Sequence, residues 1–420
     1  MSAPTPLSDL IRVFGRIGCL SFGGPAAQIS LMHRELVDDR QWLSEKQFLG
    51  ALSFCMLLPG PEAMQLATYS GWRLRGVPGG LIGGGLFVLP GALTIALLGA
   101  LYIAFGSLPL VAAAFLGVQA TVVAIVLQAL ARLGAKVLTS KKNIAISISA
   151  FFALYTGLLP FPAVIFLAAL LGAVTRSEPE SAPVPPPATS TSRLLRTVLL
   201  WGALWVAPIV LCYALGYTFL TDIALFFSKL AVVTFGGAYA VLAYMVQAVV
   251  QDHGWLDTSQ MMDALGLAET TPGPLILVTQ FTGQLAGYLE GGWRMAIAAS
   301  ILTLWVTFIP CFLWIFAAAP YVETLLAQPR LTAALQSISA AVLGVIANLS
   351  LWFALHLLFG TLHETGFGLL PELASLRPVP LALTGLAALL FLWLRQSLLR
   401  TLLVLACVAT GLALVVPMVF

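Results

Sequence analysis

Thirteen apolar stretches, each about 15–29 residues long, follow one another along this chain, separated by short polar joints. A stretch of that length matches the hydrocarbon thickness of a bilayer, so the pattern predicts helices that cross a membrane. The first six cover about 7–33, 47–72, 78–105, 108–132, 143–159 and 161–175. The other seven cover about 194–220, 222–250, 261–289, 293–319, 331–359, 379–396 and 398–418. Two of them, 47–72 and 261–289, are interrupted by Pro59-Gly60-Pro61 and Pro272-Gly273-Pro274, and a helix must break there.

One joint differs from the rest. Residues 177–192 are rich in Pro, Ser and Thr and read as a solvated cytoplasmic linker between an N-terminal repeat (1–176) and a C-terminal repeat (193–420). The repeats are related at a constant offset of 213. Phe22-Gly23-Gly24 falls on Phe235-Gly236-Gly237, Trp42-Leu43 on Trp255-Leu256, and Pro59-Gly60-Pro61 on Pro272-Gly273-Pro274. In all, 16 of the 48 positions from Phe14 to Pro61 match without a gap, which indicates an internal duplication.

Composition supports the membrane assignment. The 420 residues are 60% apolar and 9% charged, too little charge to cover a soluble protein of this size. The net charge of +3 includes no basic cluster with interleaved aromatics, so nucleic acid is not expected as a partner. The five cysteines stand singly in apolar stretches and read as packing residues. His363-Glu364 lacks the second His of a metalloprotease helix. No cofactor, metal or enzymatic constellation is expected. Residues 1–9 have no basic stretch and the next helix carries Arg12 and Arg16, so the N-terminus reads as retained rather than as a cleaved signal.

Lys and Arg in the joints set direction. Arg132, Lys136, Lys141 and Lys142 mark a cytoplasmic loop, and Arg73, Arg75, Arg330, Arg395 and Arg400 fall on the same side. Arg377 does not. Counting each broken stretch as one crossing gives about 13 crossings and a cytoplasmic N-terminus. The extra span at 194–220 then reverses the second half. The expected fold is an all-α integral membrane protein with two homologous halves in inverted orientation and Pro/Gly-broken helices, the plan of many secondary transporters.

Broken backbone in lipid survives only where protein or a water-filled cavity satisfies it. A helix restarting after the break aims free amides and its positive dipole end into that cavity, which suits an anion. Pro59, Gly60, Pro61, Pro272, Gly273 and Pro274 are therefore the helix-break candidates, against the plainer reading of kinks that shape packing. Gly23, Gly24, Gly236 and Gly237 allow close approach of a ligand or of a neighbouring helix.

Arg16 and Lys229 are equivalent under the offset, each seven residues after an acid (Asp9, Asp222), and Ser21 and Thr234 are equivalent hydroxyls. A cation within a span is costly unless paired or solvated, so Arg16 and Lys229 are binding candidates, with an Asp9–Arg16 pair as the structural alternative. Glu62 and Glu269 flank the two breaks. Each could cap its helix, or compete with an anion when charged and yield when protonated, coupling transport to protons. Gln65, Thr270 and Thr271 could donate hydrogen bonds to an oxyanion. The mixed-charge run His33–Glu45 reads as a solvated loop, and Trp42 and Trp255 as interfacial residues. Asn348 and His356 read as satisfied polar residues between helices.

Phe22-Gly23-Gly24-Pro25, Trp42-Leu43, Phe48, Leu58-Pro59-Gly60-Pro61-Glu62, Gln65 and the glycines from Gly71 to Gly91 resemble the N-terminal domain of chromate ion transporters. Thr234-Phe235-Gly236-Gly237, Trp255-Leu256 and Thr270-Thr271-Pro272-Gly273-Pro274 resemble their C-terminal domain. The likeness covers nearly the whole chain in the family's long, two-domain form. It implies export of chromate across the bacterial inner membrane, driven by membrane potential or a proton gradient, with chromate resistance as the outcome. Sulfate is the expected competitor, lipid the surroundings, and a homodimer a candidate assembly. Sulfate uptake and a passive anion channel are the alternatives. The second half departs from the first at Ala238 for Pro25 and Leu275 for Glu62, so a carboxylate-based proton step belongs mainly to the first half.

Overall fold

The structure is a computed structural model that describes residues 5–175, 191–235, 238–326, 328–366 and 368–415. The apolar stretches become helices, the conformation in which a lipid-facing backbone pairs its own amides and carbonyls. In chain order they are α1 (Leu7–Leu20), α2 (Gly24–His33), α3 (Glu45–Cys55), α4 (Glu62–Phe105), α5 (Pro109–Val137), α6 (Lys141–Tyr155) and α7 (Phe161–Val174). There follow α8 (Thr191–Ala214), α9 (Thr218–Val233), α10 (Ala238–Gln247), α11 (Thr258–Thr270), α12 (Val278–Ala318), α13 (Val322–Leu326) and α14 (Pro329–Leu358). A small antiparallel hairpin, β1 (Leu362–Thr365) and β2 (Gly368–Pro371), which the hydropathy pattern did not announce, precedes α15 (Pro378–Ala388) and α16 (Leu398–Val415). Among the described residues six helical segments are long and apolar enough to cross a membrane. The chain is a helical, multi-pass membrane protein. The linker at 177–192 lies outside the described residues except for its last two, which open α8.

A straight helix of 44 residues would run about 66 Å, twice the hydrocarbon thickness. Instead, α4 leaves helical geometry at Arg75 and Gly76 and folds back on itself. A methyl on Gly71 would overlap the carbonyl oxygen of Gly79, and one on Gly83 that of Ala67, so small residues let the two limbs touch backbone to backbone. The 41-residue α12 repeats the device at Gly291 and Gly292, where Gly287 meets Met295. The second limbs are the spans expected at 78–105 and 293–319.

Three expected spans are revised. The stretch 7–33 is not one helix, because α1 stops at Leu20 and α2 starts only after Gly23, in the left-handed region at φ 86°. The equivalent 222–250 likewise divides, α9 ending at Val233. The stretch 47–72 is not a single pass. The ring of Phe54 on α3 lies 5.7 Å from that of Tyr69 on α4, and Lys46, Gln47 and Gly50 share a cavity wall with Trp72 and Arg73. The chain therefore doubles back at Pro59-Gly60-Pro61.

The duplication is visible in local structure. Ser44 and Gln47 form a reciprocal cap on α3, and Asp257 and Gln260 form the same cap on α11. Wide helical turns at Arg34–Asp39 and Ala248–Asp252 also recur, each followed by a tryptophan amide that donates back, Trp42 to Leu36 and Trp255 to Val249.

The chain divides into two compact units, each drawing on both sides of the linker. One comprises residues 1–99, 176–238 and 271–332. In it α12 packs on α8 and α9, and the side-chain amides of Gln280 and Gln284 donate to the carbonyls of Ala92 and Ala96 on α4. The other comprises 100–175, 239–270 and 333–420. There α5 is central, packed by α11, α15 and α16.

Candidate functional site

In the first unit each Pro-Gly-Pro break is fastened to the other half of the sequence. The amide of Gly60 donates to the carbonyl of Thr234 at 2.8 Å, and the amide of Gly273 donates to the carbonyl of Ser21 at 2.9 Å. Both acceptors lie at helix C-termini, Ser21 after α1 and Thr234 after α9, where carbonyls lack an intrahelical donor. Glycine is required at both breaks because φ is 122° at Gly60 and 87° at Gly273. The fit is close. A methyl on Gly91 would overlap the carbonyl oxygen of Pro272, and one on Gly60 would come 2.7 Å from Nε2 of Gln65 and 3.0 Å from Sγ of Cys311.

Two buried glutamines complete the fastening. Gln65 Nε2 donates to the Pro59 carbonyl at 2.6 Å, and Gln28 Nε2 donates to the Gly273 carbonyl at 2.6 Å and to that of Ser21 at 3.3 Å. The amide oxygens of both are buried without a hydrogen-bond partner, an unusual expense in a protein interior. The Gln65 side chain also hydrogen-bonds Cys311. Gln28 was not singled out from the sequence, although a lone amide in an apolar stretch was the available signal.

The hydroxyls of Ser21 and Thr234 are spent on their own helices, donating to Ile17 and Leu230 at 2.6 and 2.5 Å. Glu62 is half-buried at the first turn of α4, against that helix's free amides and positive end. At the second break the chain enters α12 through a short turn at Leu275–Leu277, which is buried. Gly23 and Gly24 open α2 with positive φ, and no atom would lie within 4 Å of a methyl on Gly24, so the backbone there borders open space. Gly236 and Gly237 lie outside the described residues.

The cations stand apart from the crossing. Arg16, with 58% of its side chain exposed, lies 3.4 Å from Glu35 rather than with Asp9, and Lys229 is exposed on α9. Glu35 is buried and is also held by Arg40. The run from His33 is therefore not a solvated loop. It is helical through Asp39 because a buried carboxylate between two arginines anchors it.

In the second unit Glu269 accepts a hydrogen bond from the Tyr239 hydroxyl at 2.7 Å, and Thr270 bonds back to Leu267. Thr271, buried, falls in the first unit. Asp263, a lone acid in an apolar run that the sequence reading passed over, is 4% exposed and accepts from Tyr102 and Gln119, both at 2.8 Å.

The sequence profile described as chromate transporter matches residues 8–173 and 221–412. The chain belongs to the chromate transporter family. A chromate transport protein of Cupriavidus metallidurans is 31% identical over 356 residues, which are 83% of this chain and 82% of that protein. One of Pseudomonas aeruginosa is 32% identical over 357 residues, 82% and 81% of the two chains. An uncharacterised transporter of Methanocaldococcus jannaschii is 26% identical over 356 residues, 83% and 84% of the two. These family members carry the names of transporters, not of enzymes. No solved structure matches the chain.

Proposed function

We propose that the chain exports chromate across the bacterial inner membrane by secondary transport, with sulfate as a competitor and chromate resistance as the result. The observation that carries the site is the reciprocal crossing of Gly60 with Thr234 and Gly273 with Ser21. It gathers two broken helices, two helix C-termini and the start of α4 into one place, the arrangement in which transporters hold ions. A dianion there would be met by the first amides of α4 and the backbone opening at Gly23 and Gly24, with Gln65 on its border. Arg16 and Lys229, about one and a half turns before the crossing on their helices, would draw the anion toward it. Ser21, Thr234 and Thr271 complete the proposed surroundings; Thr270, Gly236 and Gly237 are retained as binding candidates from their motifs alone.

Coupling is assigned to carboxylates beside the breaks. A charged Glu62 repels a dianion from the α4 N-terminus, and a protonated one admits it, so proton and anion occupancy are linked; Glu269 is the counterpart before the second break. The repeats 1–176 and 193–420 are proposed to lie in opposite orientations with the N-terminus cytoplasmic. With the first broken stretch as a re-entrant hairpin, the count falls below the figure of about 13 reached from span lengths alone.

Labelled chromate accumulation in everted vesicles, energised with a respiratory substrate, tests this reading. Accumulation above empty-vector vesicles that added sulfate inhibits is the expected result. Absence of accumulation with verified insertion, together with sulfate uptake by right-side-out vesicles, would overturn it in favour of import.

A further inference from the structure

The second unit contains a feature that the anion site does not use. On α11, two carboxyls six residues apart, about 9 Å along the axis, are each hydrogen-bonded to a tyrosine of a neighbouring helix. Asp263 takes the hydroxyl of Tyr102 from the end of α4 at 2.8 Å, and Glu269 takes that of Tyr239 from α10 at 2.7 Å. Gln119 on α5 fixes the other oxygen of Asp263 at 2.8 Å and also donates to Ser259 at 2.9 Å. Among the described residues neither carboxyl has a salt-bridge partner. The other charged groups facing this assembly are Asp257 at the head of α11, toward Asp263 and Tyr102, and Arg132 on α5, toward Tyr239.

A carboxylate packed into apolar helices without a cation is expensive, and such groups recur where transporters move protons. A tyrosine is the partner that lets the carboxyl exist in both states. Its O–H donates to the charged form, and its oxygen accepts the proton of the neutral form. A purely structural anchor needs only one of these states. The helix that carries both carboxyls runs directly into Thr270-Thr271-Pro272-Gly273-Pro274, whose Gly273 is fastened to Ser21.

We propose that Asp263 is a second obligatory proton-binding carboxyl, acting together with Glu62 to couple this transporter to the proton gradient, with Glu269 a further station on the same helix beside the break. In one cycle a proton from one aqueous side binds Asp263 and is released to the other side, with no covalent change. The proposal rests on the oxyanion-transport reading and adds a second proton-carrying residue, on the half that lacks an equivalent of Glu62.

Purified protein in liposomes, with labelled chromate and an internal pH dye, separates the two ideas. Asp263→Asn is expected to keep chromate–chromate exchange while losing proton movement with chromate and accumulation driven by a pH gradient. Tyr102→Phe is expected to displace the pH profile of transport without abolishing exchange. Proton-coupled accumulation in Asp263→Asn equal to wild type overturns the proposal. A wild-type protein that exchanges no oxyanion overturns the substrate reading instead. In that case infrared difference spectra across pH still decide: a protonated-carboxyl band present in wild type and missing in Asp263→Asn supports the assignment, and identical spectra overturn it.

Discussion

The amide of Gly60 donates to the carbonyl of Thr234, and the offset that relates the two halves converts this bond into the one between Gly273 and Ser21. The duplication is therefore preserved in the hydrogen bonds between the repeats. The two bonds tie the breaks of the first unit reciprocally, and the departures from that reciprocity are informative. Gln65 secures one break from six residues away on its own chain segment, whereas Gln28 secures the other from the opposite half.

Replacing Gly60 by alanine should lower stability and abolish transport. A side chain at φ 122° carries strain of about 1–3 kcal/mol, and its methyl would also crowd Gln65 and Cys311. Thermal unfolding in detergent and vesicle transport check both effects. Wild-type values for both would remove the break from the site.

Glu62→Gln should leave insertion intact and flatten the dependence of chromate transport on pH. The carboxylate at the α4 N-terminus is replaced by a group that cannot titrate. An unaltered pH profile would leave Glu62 only a capping role.

Glu35→Ala and Arg16→Ala should differ in cost. Removing the buried Glu35 leaves the part-buried Arg40 without its acceptor, which should cost about 1–3 kcal/mol. Arg16 is more than half exposed and leaves Arg40 on the carboxylate, so its loss should cost about 1 kcal/mol or less. Arg16→Ala and Lys229→Ala should nevertheless sharply reduce transport. Normal transport in both would show that neither cation guides the anion.

His33, half-buried at the end of α2 and outside the long apolar helices, should make its segment sensitive to pH. The hydrogen bond and charge of Glu45, aided by Asp38, hold its imidazolium above the ordinary histidine range. That contribution is fully present below the unfolded value and is lost as pH rises through the folded one. Protection of the 33–45 segment from protease should therefore fall as pH rises above the ordinary histidine value of about 6.5, and Glu45→Gln should remove the change.

Much of this was legible in the chain. Period and length gave the all-helical character, since a helix in lipid is nearly forced by its composition. The breaks at 59–61 and 272–274 were visible because proline and glycine act locally. What could not be read was which carbonyl each freed amide would find, because Thr234 and Gly60 are distant in sequence and neither residue type names its partner. The doubling back of α3 on α4 was lost for a related reason: hydropathy measures length and not direction. Glu35 was misjudged because its arginines lie at unrelated spacings, and Asp263 because one acid in an apolar run carries no partner in the sequence.

The crossing also sets an order of events in biogenesis. When the first repeat leaves the ribosome, the amide of Gly60 and the carbonyl of Ser21 have no native partners, since both are supplied by sequence beyond the linker. The first repeat must wait in the membrane, its break served by water or lipid headgroups, until Thr234 and then Gly273 are inserted beside it. A repeat synthesised alone would remain at that unfinished stage, and supplying the other repeat as a separate chain would be the way to complete it.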